Sequence, residues 1–176
     1  MEKRDKFKKI FKEALSYIII ILIVIIIRVF IFDPIRVDGP SMNNTLKDGQ
    51  ILILNKFIYK KSDINRYDIV VIKLDNGEKI IKRVIGLPNE EIEIKDNKIY
   101  ANGEEIDNSF AATITDDFNT SEKLGLKKVP GDKYFVLGDN REISKDSRVL
   151  GFIREDQIIG KAVFRIWPFN KFGKVK

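Results

Sequence analysis

The sequence predicts a mostly β domain, antiparallel and partly barrel-like, behind a single N-terminal transmembrane helix. Three observations carry that expectation. Ala14 to Phe32 form a run of 19 residues that is almost wholly apolar apart from Arg28. Beyond Pro34 the pattern changes to short apolar or alternating stretches, as half-buried strands require. Those stretches are separated by turn signals, including Asn76-Gly77, Asp96-Asn97 and Asn102-Gly103, where a backbone with positive φ is tolerated.

The N-terminal arm is basic. Residues 1–13 carry six Lys/Arg against three Asp/Glu, half of the net charge of +6, whereas residues 29–176 carry 25 against 23. A nucleic-acid footprint would be spread over the folded domain; a basic arm ahead of an apolar run is the cytoplasmic flank of a membrane segment. Nineteen helical residues are enough to cross a hydrocarbon core of about 30 Å, and Arg28, near the far end, can snorkel to the phosphates. A soluble core helix of this composition would need burial on every side. The run ends Phe-Ile-Phe-Asp33-Pro34 with no small-x-small site, so it reads as an anchor that is not cleaved. The expected organisation is a cytoplasmic arm over 1–13, an anchor over 14–32 and an extracytoplasmic domain over 33–176.

Within that domain, Ile51–Phe57 is an expected strand. Tyr67–Leu74 and Glu78–Leu87 flank Asp75-Asn76-Gly77 as a hairpin, and Glu91–Ile94 with Lys98–Tyr100 flank Asp96-Asn97 as another. Residues 104–128 are polar and weakly patterned and read as an irregular insertion or small subdomain. Lys133–Leu137 and Ile158–Trp167 complete the strands. Near the C-terminus, Trp167, Phe169 and Phe172 are candidates for a membrane interface, with core packing expected for Phe164.

Two absences restrict the chemistry. The chain has no Cys and no His. This excludes thiol nucleophiles, disulfides, Ser-His-Asp hydrolases and histidine-ligated zinc proteases. Nothing calls for a metal, nucleotide or other cofactor. Any acyl-transfer chemistry must use a lysine, carboxylate or terminal amine as base. Ser41 lies in Asp38-Gly-Pro-Ser-Met-Asn-Asn-Thr-Leu46, a turn-forming stretch in which a serine is ordinarily a turn residue. In Lys79-Ile-Ile-Lys-Arg-Val-Ile85 the strand phase puts Lys82 on one face with Ile80 and Val84, and Arg83 on the other with Ile81 and Ile85. A lysine between β-branched residues is either desolvated, with its pKa lowered, or packed along its stem with the ammonium in water. A third cluster, Leu137-Gly-Asp-Asn-Arg141 with Ser144, Asp146, Ser147 and Arg148, is either a solvated loop or a polar shell that orients a catalytic pair.

The anchor, then GPSMNNTL, IKRVIGLPNE and LGDNREISKDSRVLGFI in that order, resemble bacterial type I signal peptidase from the membrane helix to the C-terminal end, except over 104–128. The resemblance implies a membrane-anchored serine endopeptidase that removes signal peptides from exported preproteins, with the lipid bilayer as its other partner and no nucleic acid. By position it implies Ser41 as nucleophile and Lys82 as general base, with Ser144 as a hydroxyl holding the lysine amine. Asp146 with Arg148, and Asp139 with Arg83, match supporting ion pairs. Two positions depart from the family pattern: Asn44 stands where many members have Pro, and Gly39 where some offer a hydroxyl. The second leaves the backbone N–H of Ser41 to stabilise an oxyanion. The alternatives are a self-cleaving Ser/Lys protease of the SOS-repressor type and a non-enzymatic anchored β domain.

Overall fold

The computed structural model describes residues 2–30 and 32–175, and within the N-terminal helix the side chains of Lys6 and residues 10–25. That helix, α1, runs Glu2–Phe30 and leads into β1, Phe32–Arg36. The chain continues through β2 (Ile51–Asn55), β3 (Ile69–Lys73), β4 (Lys79–Gly86), β5 (Ile92–Lys95), β6 (Lys98–Ala101) and β7 (Glu104–Ile106). After β8 (Phe118–Asn119) and α2 (Thr120–Leu124) come β9 (Lys133–Leu137), α3 (Ser147–Leu150), β10 (Ile153–Arg154), β11 (Ile158–Trp167) and β12 (Gly173–Lys174).

Eight strands form one antiparallel sheet in the order β1-β2-β11-β3-β4-β9-β10, with β12 on β11; the other four form a sheet in the order β7-β6-β5-β8. Neither sheet closes, which corrects the barrel-like expectation. Closure requires every strand to be paired on both sides, but among the described residues β1 pairs only with β2, and the two-residue β10 only with β9. Residues 104–128 are not wholly irregular: β7 and β8 are the two edges of the smaller sheet, and Asn119 caps α2 by accepting from the N–H groups of Ser121 and Glu122.

Strand alternation divides the core. Ile69, Val71, Ile81, Leu52 and Leu54 pack with Met42 and Leu46, whereas Val70, Ile72 and Val84 pack with Ile64, Val136 and Ile153. A third cluster joins Ile85, Phe135 and Leu137 of the larger sheet to Ile92, Ile94 and Ile99 of the smaller one. The two sheets touch at Gly86, where an added Cβ would lie 2.6 Å from the Ile92 side chain. Only a glycine permits that approach.

Among the described residues no helix is long and apolar enough to cross a membrane. From Ile10 to Ile25 every side chain of α1 is exposed. The side chains of 26–30, Arg28 among them, and residue 31 lie outside the described residues. Phe164 is not core: it is 37% exposed and rests against the Phe172 ring, 6.3 Å between centroids.

Candidate active site

The loop that follows β1 is closed at its base, where the Val37 N–H donates to the Gln50 carbonyl and the Gly49 N–H to the Val37 carbonyl. Met42 and Leu46 are buried and drive the loop onto the core, and the Leu46 N–H donates to the Met42 carbonyl. Ser41, one residue before this apolar anchor, is therefore held half-buried at the surface of the sheet. Gly39 has φ +79°, the left-handed region in which a side chain is strained, and its N–H donates to Asp48.

Lys82 comes from β4 and is only 3% exposed. Its Nζ lies 2.8 Å from Ser41 Oγ. Burial lowers the lysine pKa to about 8, against the opposing pull of the Asp146, Asp139 and Glu78 carboxylates. Desolvation therefore outweighs attraction, and a useful fraction of the amine is neutral near physiological pH. A neutral amine in contact with a hydroxyl can accept its proton, so the pair has the geometry for activating an oxygen nucleophile.

The other expected residues converge on the same place. Arg83 binds Asp139 through two parallel hydrogen bonds, Nε to Oδ1 at 2.9 Å and Nη2 to Oδ2 at 2.8 Å, with both side chains buried. Asp146 accepts from Arg148 Nε at 2.9 Å and Nη2 at 3.0 Å, caps α3, and accepts the Gly138 N–H at 3.0 Å. The Ser144 hydroxyl is buried and has no hydrogen-bond partner among the described residues, while the Lys82 amine is directed at Ser41 instead.

Three further participants lie within the stretches singled out in the sequence, which assigns none of them an individual role. Gly138 is in contact with both serines: a Cβ there would lie 2.1 Å from Ser144 Oγ and 2.6 Å from the Ser41 carbonyl oxygen. Thr45 donates to Asp139 and accepts from Arg83 Nη2 at 3.0 Å. Arg141 is almost fully buried and donates to the Gly138 carbonyl, Thr115 and Asn108. Thr45→Val keeps the shape but leaves one Arg83 donor and one Asp139 acceptor less satisfied. It is expected to cost about 1–3 kcal/mol, readable as a lowered midpoint in chemical denaturation.

A cleft of about 460 Å³ opens at Ser41 and Lys82, walled by Ile35, Arg36 and Asp38 on one side and Glu78 to Ile81 on the other. Both walls are free strand edges. β1 ends the sheet, and β9 pairs with β4 only from Arg83 onward. Among the described residues no group of three or more acidic side chains is disposed to hold a metal ion.

Residues 10–167 match the family described as signal peptidase, peptidase S26. The chain belongs to this signal peptidase family. It is accordingly a serine endopeptidase, a hydrolase. A signal peptidase I of Bacillus caldolyticus is 39% identical over 165 residues, covering 89% of this chain and 91% of that protein. A signal peptidase IB of Staphylococcus aureus is 39% identical over 180 residues, covering 92% and 93%. The crystal structure of a signal peptidase I from Enterococcus faecalis superposes with a TM-score of 0.53 at 34% identity, covering 57% of this chain and 97% of that one.

Proposed function

We propose that this peptidase removes N-terminal signal peptides from exported preproteins, with Ser41 as nucleophile, Lys82 as general base and the helix α1 as a membrane anchor. The observation that carries this reading is the 2.8 Å contact between Lys82 Nζ and Ser41 Oγ in a chain without histidine. Neutral Lys82 takes the Ser41 proton as Oγ bonds to the scissile carbonyl carbon. The oxyanion is stabilised by the Ser41 backbone N–H, which finds no backbone acceptor among the described residues. The lysine ammonium then protonates the leaving amine, the C–N bond breaks, and the mature protein departs. Water, deprotonated by the same lysine, attacks the acyl-enzyme; its proton returns through Lys82 to Ser41 Oγ, and the signal peptide leaves as a carboxylate. Ser144, with its hydroxyl unpaired, is the partner available to steady the amine during these transfers.

The two free edges that wall the cleft suit an extended peptide hydrogen-bonded on both sides. Its shallow apolar lining, Ile35, Ile80, Ile81 and Ile143, suits small side chains at the first and third positions before the cut. The anchor reading is supported by the unbroken exposure of apolar side chains from Tyr17 to Ile25, a surface that water does not tolerate. The basic arm then lies in the cytoplasm and the catalytic domain outside. Trp167, 47% exposed with Phe169 packed edge-on against it, suits a seat at the headgroup level.

The test uses the full chain in detergent micelles with a preprotein substrate. Ser41→Ala is expected to lower cleavage by roughly 10⁴-fold or more, and an acylating inhibitor is expected to modify Ser41 in the unaltered enzyme. Cleavage that survives Ser41→Ala, or an inert Ser41, overturns the reading.

A further inference from the structure

The segment over 104–118 brings one aromatic ring to the support of the site. Phe110 lies with Arg83 4.4 Å and Arg141 5.7 Å from its ring centroid, and Tyr67 packs beside it at 5.5 Å between centroids. Both arginines are buried, at 3% and 2% exposure. They differ in their partners. Arg83 has the Asp139 carboxylate, but among the described residues Arg141 donates only to neutral oxygens, those of Gly138, Thr115 and Asn108, with Asp139 and Asp146 acting on it from further off. A buried guanidinium without a hydrogen-bonded carboxylate is costly. The face of an aromatic ring, negative at its centre, is the further compensation this pair of cations receives.

Each arginine leads from the ring to the reacting groups. Arg83 grips Asp139, and Arg141 Nε grips the Gly138 carbonyl at 2.9 Å. The next residue, Asn140, donates its N–H to the Ser41 carbonyl at 3.0 Å. Gly138 itself is in contact with Ser144 and Ser41. The same stretch is secured from the outside by the Ala112 N–H on the Asp139 carbonyl.

We propose that Phe110 is a positioning residue of this peptidase: its ring, set against Arg83 and Arg141, fixes the 138–141 turn, against which Ser41 and Ser144 rest beside Lys82. The inference rests on the Ser41–Lys82 reading given above. It assigns to the 104–118 segment a part in turnover rather than in the integrity of the smaller sheet alone.

The test compares Phe110→Leu, which keeps an apolar side chain of similar bulk without the ring face, with Phe110→Tyr, which restores the ring. Phe110→Leu is expected to lower kcat roughly 10- to 100-fold, the cost of a misplacement of about 1 Å, with KM changed by less than about 3-fold because the cleft walls are untouched. A displaced 138–141 turn, which Gly138 and Asn140 join to Ser41, also opens the Ser41–Lys82 contact to water. The groups acting on Lys82 are Asp146 and Arg148 around α3, Asp139 after β9 and Glu78 at the β3–β4 turn, and none of them is replaced. The apparent pKa of kcat/KM is therefore expected to move up towards the ordinary lysine value, since desolvation is what lowers it. Phe110→Tyr is expected to recover both kcat and the pH profile. A Phe110→Leu enzyme that changes only in melting temperature, keeping kcat and pH profile, overturns the proposal; so does a Phe110→Tyr enzyme as impaired as Phe110→Leu. Failure of the underlying dyad is read separately, from Ser41→Ala in the otherwise unaltered enzyme.

Discussion

Lys82→Met is expected to abolish cleavage while making the folded protein more stable near neutral pH. The activity loss follows from removing the proposed base: Ser41 keeps its place but loses the group that takes its proton, and a fall of roughly 10⁴-fold or more is expected. The stability gain follows from the same burial that makes the amine useful. The lysine pKa is lowered from 10.5 to about 8 in the fold, so the charged form is disfavoured there relative to the unfolded chain. Below about pH 8 the penalty is present in full, about 3 kcal/mol at 1.36 kcal/mol per pKa unit. Between about 8 and 10.5 the folded state has released a proton that the unfolded state retains, so stability rises with pH. Methionine has similar length and carries no charge to desolvate. Denaturation followed by Trp167 fluorescence at pH 7 and pH 10 is expected to show the variant ahead by up to about 3 kcal/mol at the lower pH, with most of that lead gone at the higher. A lead that is absent, or the same at both pH values, removes the buried-lysine explanation. The unaltered enzyme's kcat/KM is expected to rise with pH through an apparent pKa near 8.

The strands were legible where local chemistry determines them. Asp96 and Asn97 both adopt positive φ and turn β5 into β6, as residues able to enter the left-handed region do in two-residue hairpins. Asp75-Asn76-Gly77 turns differently. Only Gly77 has positive φ, and the Asn76 side chain accepts from the Glu78 N–H, a three-residue loop that the same letters do not distinguish. Lys82 was legible because strand phase places a cation among β-branched neighbours. Its approach to Ser41, 41 residues away, was implied only through the family pattern. Residues 104–128 resisted reading because their determinants are distant. Asn108 and Thr115 bond Arg141, and Thr115 also donates its N–H to Asn97, so no periodicity within the segment records its role. Glu90 fails for the same reason. Nothing in the local run of Glu90, Glu91 and Glu93 marks it out, yet it accepts two hydrogen bonds from Arg66 and one from the Leu87 N–H. Sheet closure is likewise set by which strands meet at the ends, and strand patterns do not encode that.

Asp139→Ala is expected to destabilise the fold by about 3–5 kcal/mol, the usual cost of leaving one charge of a buried pair unpaired. Asp139 is fully buried and is, among the described residues, the only carboxylate hydrogen-bonded to Arg83, so the orphaned guanidinium keeps from these residues the Thr45 hydroxyl, the Tyr67 carbonyl and the Phe110 face. Those are neutral groups, and they do not replace a bidentate carboxylate. The loss differs from that of an exposed pair such as Lys98–Glu105, where both side chains are about half exposed and removal of either partner is expected to leave the denaturation midpoint nearly unchanged. The ion pair itself is not what the fold requires, because burying two charges costs nearly as much as their attraction returns. Replacing both partners, as Arg83→Met with Asp139→Leu, is therefore expected to recover most of the stability lost in Asp139→Ala. Activity is expected to stay low in the double variant. Asp139 lies between Gly138, which is in contact with both serines, and Asn140, whose N–H holds the Ser41 carbonyl, and methionine and leucine offer no directed bond to hold that turn. Denaturation midpoints and cleavage rates measured on the two single variants and the double variant separate the effects. If stability and activity recover together, the pair has only a packing role; if stability alone recovers, the charges serve the geometry of the turn beside Ser41.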